Sequence, residues 1–118
     1  MTEIDTLAEQ LRTFAAERDW EQFHTPKNLA MALAGEAGEL LAEFQWLTPA
    51  ESIVIMEDQE AGQRVRTEIA DVLLYVIRLA DVLGVDLIRS AHEKLDGNAR
   101  RYDVDSYRGT ARKAPPLG

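Results

Sequence analysis

The sequence predicts an all-α fold, a bundle of four to five helices. Apolar residues recur at helical spacing along the chain, and no segment alternates in the manner of a half-buried strand. Residues that favour the starts and ends of helices stand at the borders of these periodic segments. The 118 residues suffice for one domain. A lone domain of that size buries only about two-thirds of its unfolded surface, so oligomerisation would add burial.

The first half of the chain contains two predicted helices. The first runs from about Ile4 to Asp19, with an apolar stripe of Leu7, Leu11 and Phe14. A connector at residues 20–24 follows. Thr25 and Pro26 then read as the N-cap and the first helical residue, since proline has no N–H that would lack a partner there. This second helix is predicted to continue to about Gln45.

A short helix is predicted next, because Thr48 and Pro49 repeat the start signal and Glu51 is placed for a capping box. It reaches to about Glu57.

The last two predicted helices are bounded by similar signals. A long helix runs from about Glu60 to Leu83, and Gly84 suits the position after its end. Asp86 then caps a helix to about Arg101. We expect residues 1–103 to form one domain and residues 104–118, which are rich in proline and glycine, to form a flexible C-terminal tail.

Composition excludes several classes of function. The net charge of −8 disfavours nucleic acid as a partner, because binding to duplex DNA depends on basic surface. The N-terminus lacks the features of a secretory signal, and no apolar run approaches the roughly 20 residues that cross a bilayer, so no membrane association is expected. There is no cysteine, which excludes disulfides and suits a cytoplasmic location.

Acidic residues on the second helix form the first candidate site. Glu36 and Glu39 are three residues apart and therefore neighbours on the helix surface, and Glu43 continues the row. Glu36 borders the predicted apolar stripe. That stripe comprises Leu29, Leu33, Ala37, Leu40 and Phe44.

The long helix is apolar around most of its circumference, which predicts a buried central helix. Glu68 nevertheless projects among Val72, Tyr75 and Leu79, and Asp71 lies one turn on, towards one edge. A carboxylate removed from water is costly unless it finds a partner.

Two such acidic pairs on the two most apolar helices indicate a shared divalent cation, Mg²⁺ or Mn²⁺, since oxygen ligands without His or Cys suit a hard ion. Two alternatives stay open. An acidic pair is most often a solvated helix face, which fits Glu43 well and Glu68 badly. Salt bridges would also satisfy the carboxylates, with Arg64, Arg66, Arg78 or Lys94 as partners.

Other candidates have both a structural and a functional interpretation. Trp20 and Trp46 lie at helix ends and either pack in the core or clamp a flat base. His24 is either a surface residue of the connector or a contact to base or phosphate. A basic face of the last helix either compensates the helix dipole or binds phosphate. That face carries Lys94, Asn98 and Arg101.

Together these residues resemble the all-α NTP pyrophosphohydrolase superfamily, also called MazG-like. Its paired signature, E-x-x-E on one helix and E-x-x-D on a later one, stands here as Glu36–Glu39 and Glu68–Asp71. The surrounding blocks are NLAMALAGEAGELLAEFQW and EIADVLLYVIRLADVLGVDL. With FAAERDWEQFH and KLDGNARRY they are most similar to the dCTP pyrophosphatase branch. The resemblance covers about residues 5–102.

The resemblance implies a MazG-like bundle completed as a homodimer or homotetramer, with Glu36, Glu39, Glu68 and Asp71 as Mg²⁺ ligands and Glu36 or Glu39 activating water. It implies that the substrate is bound by Trp20, His24, Asn28, Trp46, Tyr75, Lys94, Asn98 and Arg101. One departure is Leu11, where related sequences have histidine on the first helix, and it bears on base preference. Hydrolysis of dCTP or 5-modified dCTP to dCMP and pyrophosphate, as nucleotide-pool cleansing, is therefore expected.

The alternatives are a broad MazG-type, dUTP-specific or phosphoribosyl-ATP hydrolase, a non-catalytic nucleotide- or protein-binding bundle, and a dimerisation module.

Overall fold

A computed structural model describes residues 1–117, and within them every regular element is helical, which confirms the predicted all-α class. The helices are α1 (Glu3–Glu17), α2 (Pro26–Ala42), α3 (Pro49–Ile53), α4 (Gln59–Leu83), α5 (Leu87–Arg101) and α6 (Val104–Tyr107). Short 3₁₀ turns cover Glu21–Phe23 and Ile55–Glu57. Within the described residues, no helix is long and apolar enough to span a bilayer.

The predicted helix boundaries follow local capping chemistry. The Thr25 side chain accepts a hydrogen bond from the backbone N–H of Asn28, and Pro26 opens α2. Thr48 and Glu51 form the complete capping box of α3. Gly84 ends α4 with a φ of 71°, a left-handed conformation that a residue with a Cβ adopts only at a cost.

Three helix ends and one additional helix differ from the sequence expectation. Helix α1 ends at Glu17 rather than near Asp19, and α3 ends at Ile53 rather than near Glu57, with a 3₁₀ turn at Ile55–Glu57. Helix α2 ends at Ala42 rather than near Gln45, because the following residues close tight turns, with the Leu47 N–H donating to the carbonyl of Phe44. Helix α6 was not expected. It is a single turn, and Asp103 caps it by accepting from the N–H of Ser106.

Residues 1–84 form one compact unit, in which α4 packs against both α1 and α2. Its most enclosed large side chains are Leu29 of α2 and Ile77 of α4, which are 2% and 1% exposed. The inward face of α2 differs from the predicted stripe, because Ala37 is exposed whereas Glu36 is half-buried. Ala37 is therefore wrongly placed in the predicted stripe, whereas Glu36 is partly enclosed and its Oε2 is buried.

Residues 85–117 form a second unit, which contains α5 and α6. The Arg101 guanidinium donates to the carbonyl oxygens of Ala114 and Pro115, at 2.7 and 3.2 Å. The Tyr102 and Tyr107 rings meet edge to face at 5.0 Å. The domain limit at residue 103 and the flexibility expected of residues 104–118 stay predictions.

Candidate active site

A cluster of three carboxylates joins α2 and α4. Glu36 and Glu39 stand on adjacent positions of the α2 surface, and Glu68 is contributed by α4. One carboxylate oxygen of each lies within 4.8 Å of those of the other two. The i, i+3 spacing on α2 and the packing of α2 on α4 therefore bring together three of the four acids that the sequence singled out.

Two oxygens of this cluster are buried without a partner. Glu36 Oε2 and Glu68 Oε2 are enclosed and make no hydrogen bond among the described residues. Within residues 1–84, no Arg or Lys nitrogen lies within 4 Å of the three carboxylates. Arg64 instead pairs with Glu43 at 2.9 Å, and Arg78 lies 3.5 Å from Asp81. Pairing with Arg64 or Arg78, one sequence-based alternative, is thus not what the structure shows.

Burial and crowding of like charge disfavour ionisation here. Burial above all, followed by the hydrogen bond and charge of Glu39 and the charges of Asp71 and Glu68, raises the pKa of Glu36 to about 7. The pKa of Glu68 is likewise raised by burial and then by the charge of Glu39. A divalent cation bound to these oxygens would supply the missing partner and relieve the repulsion. The donor set, carboxylate oxygen alone, fits a hard ion.

Asp71 lies outside the group of three but close to it. Its charge raises the pKa values of both Glu36 and Glu68. It also lines a neighbouring cleft. A direct role of Asp71 as a metal ligand stays a prediction, while its position makes the carboxylate cluster and the cleft adjacent parts of one site.

The cleft has a volume of about 390 Å³ and lies between α1 and α4. Its size falls in the range of pockets that hold small organic molecules. Its walls are mostly apolar, with few polar groups. They comprise Leu7, Gln10, Leu11, Phe14, Trp20, His24, Asp71, Leu74, Tyr75 and Arg78.

Aromatic rings form one end of the cleft. Phe14 and Trp20 meet edge to face with centroids 5.6 Å apart, and Trp20 meets the His24 ring at 6.4 Å. His24 Nδ1 accepts a hydrogen bond from Arg78 Nε at 3.1 Å. Burial, followed by the charge of Arg78, lowers the pKa of His24, which favours the neutral imidazole. The cleft thus offers flat apolar faces and one neutral ring able to form hydrogen bonds.

Some of the predicted substrate-binding residues meet at this cleft. Trp20, His24 and Tyr75 line it. Asn28 does not, and its side chain donates to the carbonyl of Phe23, which fixes the connector before α2. Trp46 is 88% exposed and is not part of the cleft walls.

The remaining predicted substrate-binding residues, Lys94, Asn98 and Arg101, belong to the second unit. Their roles, like those of Asn28 and Trp46, stay predictions. Arg101 already donates to two backbone carbonyls.

The sequence alone did not identify several walls of the cleft. Phe14 had been assigned to an apolar stripe, and a stripe at helical spacing looks the same whether it faces a core or a cleft. Arg78 had been considered only as a possible salt-bridge partner of the carboxylates. In the structure it also donates to His24, which is 54 positions away in the chain, so no local pattern would have indicated this contact.

Comparisons with known proteins bear on the family and the fold of this chain. The model of the MazG-like family matches residues 31–116. The chain is 47% identical over 104 residues to dCTP pyrophosphatase 1 of Rattus norvegicus and 45% identical to that of Homo sapiens, with 88% of this chain covered in both cases. It spans 61% of the length of these two curated relatives. The crystal structure of a pyrophosphatase from Archaeoglobus fulgidus superposes with a TM-score of 0.80 at 36% identity, covering 87% of this chain and 94% of that one.

Proposed function

Because this chain belongs to the MazG-like family, we propose that it is a Mg²⁺-dependent nucleoside triphosphate pyrophosphohydrolase that acts on dCTP or 5-modified dCTP. The observation that carries the proposal is the cluster of Glu36, Glu39 and Glu68, with two buried unpartnered oxygens, beside a cleft with aromatic walls. The choice of dCTP follows the names of the rat and human relatives.

The two parts of the site suit the two parts of a nucleotide. The apolar cleft accepts the base, whose flat faces stack favourably on aromatic rings such as Trp20. The phosphates carry negative charge that three carboxylates would repel without an intervening cation. Mg²⁺, with Mn²⁺ as a substitute, would be held by Glu36, Glu39, Glu68 and Asp71, and it would neutralise and orient the phosphate oxygens.

The chain's own residues then carry the proton transfer. A water oxygen bonds to phosphorus at the α–β anhydride, the bridging P–O bond breaks, and the products are the nucleoside monophosphate and pyrophosphate. Glu36 or Glu39 positions this water and accepts its proton.

We further propose that the protein assembles as a homodimer or homotetramer. Apolar side chains that a small monomer would be expected to bury are largely exposed on α2 and in the residues after it, including Met31, Leu41, Trp46 and Ile53. A second copy would cover such a surface. A role in cleansing the nucleotide pool and a cytoplasmic location complete the proposal.

The test is pyrophosphate release from a panel of dNTPs and NTPs that includes 5-methyl-dCTP, with Mg²⁺ and with EDTA. We expect metal-dependent release that is strongest for dCTP or its 5-modified forms. Equal release from every triphosphate would keep the chemistry and remove the proposed preference. Absence of release by folded protein with Mg²⁺ would refute the enzymatic proposal in favour of a non-catalytic binding bundle.

Variants assign the residues. Glu39→Gln and Asp71→Asn should abolish turnover while the helical circular dichroism stays unchanged, because each removes a negative charge with little change in shape. Glu43→Gln is the matched control, since Glu43 caps the C-terminal end of the same helix but pairs with Arg64. Normal activity in Glu39→Gln or Asp71→Asn would contradict the assignment of that residue.

A further inference from the structure

Arg78 is the most deeply buried charged residue among residues 1–84, at 7% exposed, and it lies at the cleft. Its Nε donates to His24 Nδ1 at 3.1 Å, and its Nη1 lies 3.5 Å from Asp81 Oδ2. Asp81 also accepts two hydrogen bonds from Arg12, at 2.9 and 3.0 Å. Asp81 therefore anchors the Arg78 guanidinium through an ion pair, and Arg78 in turn fixes the His24 ring through a hydrogen bond.

This contact determines where the proton of His24 resides. A guanidinium is always protonated and can only donate, so the ring nitrogen that it meets must offer a lone pair. A neutral imidazole that accepts at Nδ1 carries its proton at Nε2. The arginine thus selects one of the two tautomers and also fixes the orientation of the ring.

The Nε2–H is left for a ligand. Within residues 1–84, His24 Nε2 makes no hydrogen bond, although the residue lines the cleft beside Trp20. Among the walls, Gln10, Asp71 and Tyr75 carry acceptor atoms, but none of them receives a hydrogen bond from His24, so the Nε2–H is free to donate to a molecule that enters. Cytosine presents a carbonyl oxygen and an unprotonated ring nitrogen, and both are acceptors.

We propose that Arg78 is a positioning residue for base recognition, which holds His24 as the Nε2–H tautomer so that the ring donates a hydrogen bond to an acceptor on the nucleobase. The base-recognition half of this inference rests on the proposed function. The tautomer half does not, because Arg78 and His24 meet without any ligand.

The first experiment therefore uses the protein without nucleotide. Long-range ¹H–¹⁵N correlation spectra of ¹⁵N-labelled protein above the pKa of His24 report which ring nitrogen bears the proton. The chain has only two histidines, and His92→Gln assigns their signals. We expect the wild type to show protonated Nε2 and unprotonated Nδ1, and Arg78→Met to show a mixture of tautomers. A proton on Nδ1 in the wild type would overturn the proposal.

Arg12→Met is the matched control, because it removes a partner of the same Asp81 carboxylate without touching His24. We expect the wild-type tautomer in this variant. Thermal melts followed by circular dichroism establish that both variants are folded. If Arg78→Met does not fold, Arg78→Gln replaces it, because a neutral amide can either donate or accept and so no longer imposes one tautomer on His24.

The second experiment measures steady-state kinetics with dCTP. Arg78→Met should raise KM by about three- to tenfold, the range of one neutral hydrogen bond, with a smaller change in kcat. In a His24→Phe background, where no N–H remains to be positioned, the same change should have no further effect on KM. Equal effects of Arg78→Met on KM in the two backgrounds would show that Arg78 has only a structural role.

The two experiments separate the possible failures. A wild-type protein that hydrolyses no triphosphate would refute the proposed function and, with it, the base-recognition half, whereas the spectra would still decide the tautomer. An active wild type whose KM is unchanged by Arg78→Met would leave the proposed function in place and refute base recognition through Arg78.

Discussion

Metal binding at the three carboxylates should depend steeply on pH near neutrality. A cation binds the ionised carboxylates, so any proton held by the cluster must first leave. The pKa of Glu36 is raised to about 7, and that of Glu68 is raised as well. Binding should therefore be strong above pH 7 and weaken as the pH falls through that value.

The magnitude follows from the ionised fraction of Glu36 alone. A group with a pKa of about 7 is about 90% ionised at pH 8 and about 10% ionised at pH 6, so the apparent Kd for Mg²⁺ should rise about tenfold over this interval. Any competing proton on Glu68 would steepen the dependence. Binding should also release about 0.9 of a proton from Glu36 for each ion bound at pH 6, and about half a proton at pH 7.

Isothermal titration calorimetry with Mg²⁺ or Mn²⁺ measures both quantities, provided that the titration is repeated in buffers of different ionisation enthalpy. Glu36→Gln should bind more weakly and lose most of the proton release. Glu43→Gln should retain both, since the Glu43 carboxylate is engaged by Arg64 outside the cluster. A Kd that is constant from pH 6 to pH 8 would refute the raised pKa of Glu36, its role as a ligand, or both.

Three further predictions concern the stability of the metal-free protein, measured by urea unfolding at one fixed protein concentration because assembly would affect the result. A carboxyl whose pKa is raised on folding stabilises the folded state at low pH, and this contribution is lost as the pH rises from its unfolded to its folded pKa. Glu36→Gln should therefore be more stable than the wild type at pH 8 and nearly equal to it at pH 4. Equal stability of the two proteins at both pH values would contradict the burial of Glu36. Ile77→Ala should lower the free energy of unfolding by about 2 to 5 kcal/mol, as expected for a fully packed position, and a loss below about 1 kcal/mol would show that the site is loosely packed. Gly84→Ala should cost about 1 kcal/mol because φ is 71° there, whereas Gly35→Ala, at an open mid-helix position, should be neutral or stabilising.

The predictability of each feature from sequence depends on the range of the interactions that form it. Helix starts at Thr25, Thr48 and Asp86 were predictable because each cap satisfies N–H groups only two or three residues away. The convergence of Glu36 and Glu39 was predictable for the same reason, since i, i+3 residues share a helix surface. Predicting that Glu68 approaches this pair required an assumption about how the two helices pack. The position of an acidic residue on an apolar helix face justified that assumption.

Features that depend on tertiary geometry alone were missed or misplaced. Ala37 was assigned to the inward side of α2 but is exposed, whereas Glu36 is half-buried, because hydrophobicity patterns assume that carboxylates are less enclosed than apolar residues. The contact between Arg78 and His24 links an interior helix to a connector and has no counterpart in local spacing. The sequence identified the acids of the site, whereas the cleft beside them emerged only from the packing of α1 on α4.

The core and the candidate site are products of one helix interface. Packing of α2 on α4 encloses Leu29 and Ile77, and it also removes Glu36 Oε2 and Glu68 Oε2 from water. The first effect stabilises the fold, whereas the second destabilises the ionised, metal-free protein. The cost of burying ionised carboxylates exists only in the folded protein, and a bound cation removes it there. The relief of this cost therefore adds to the free energy of metal binding. Loosening the core should therefore also rehydrate the carboxylates and weaken metal binding. For this reason we expect Ile77→Ala to raise the Kd for Mg²⁺ at pH 8 even though Ile77 is not among the carboxylate ligands.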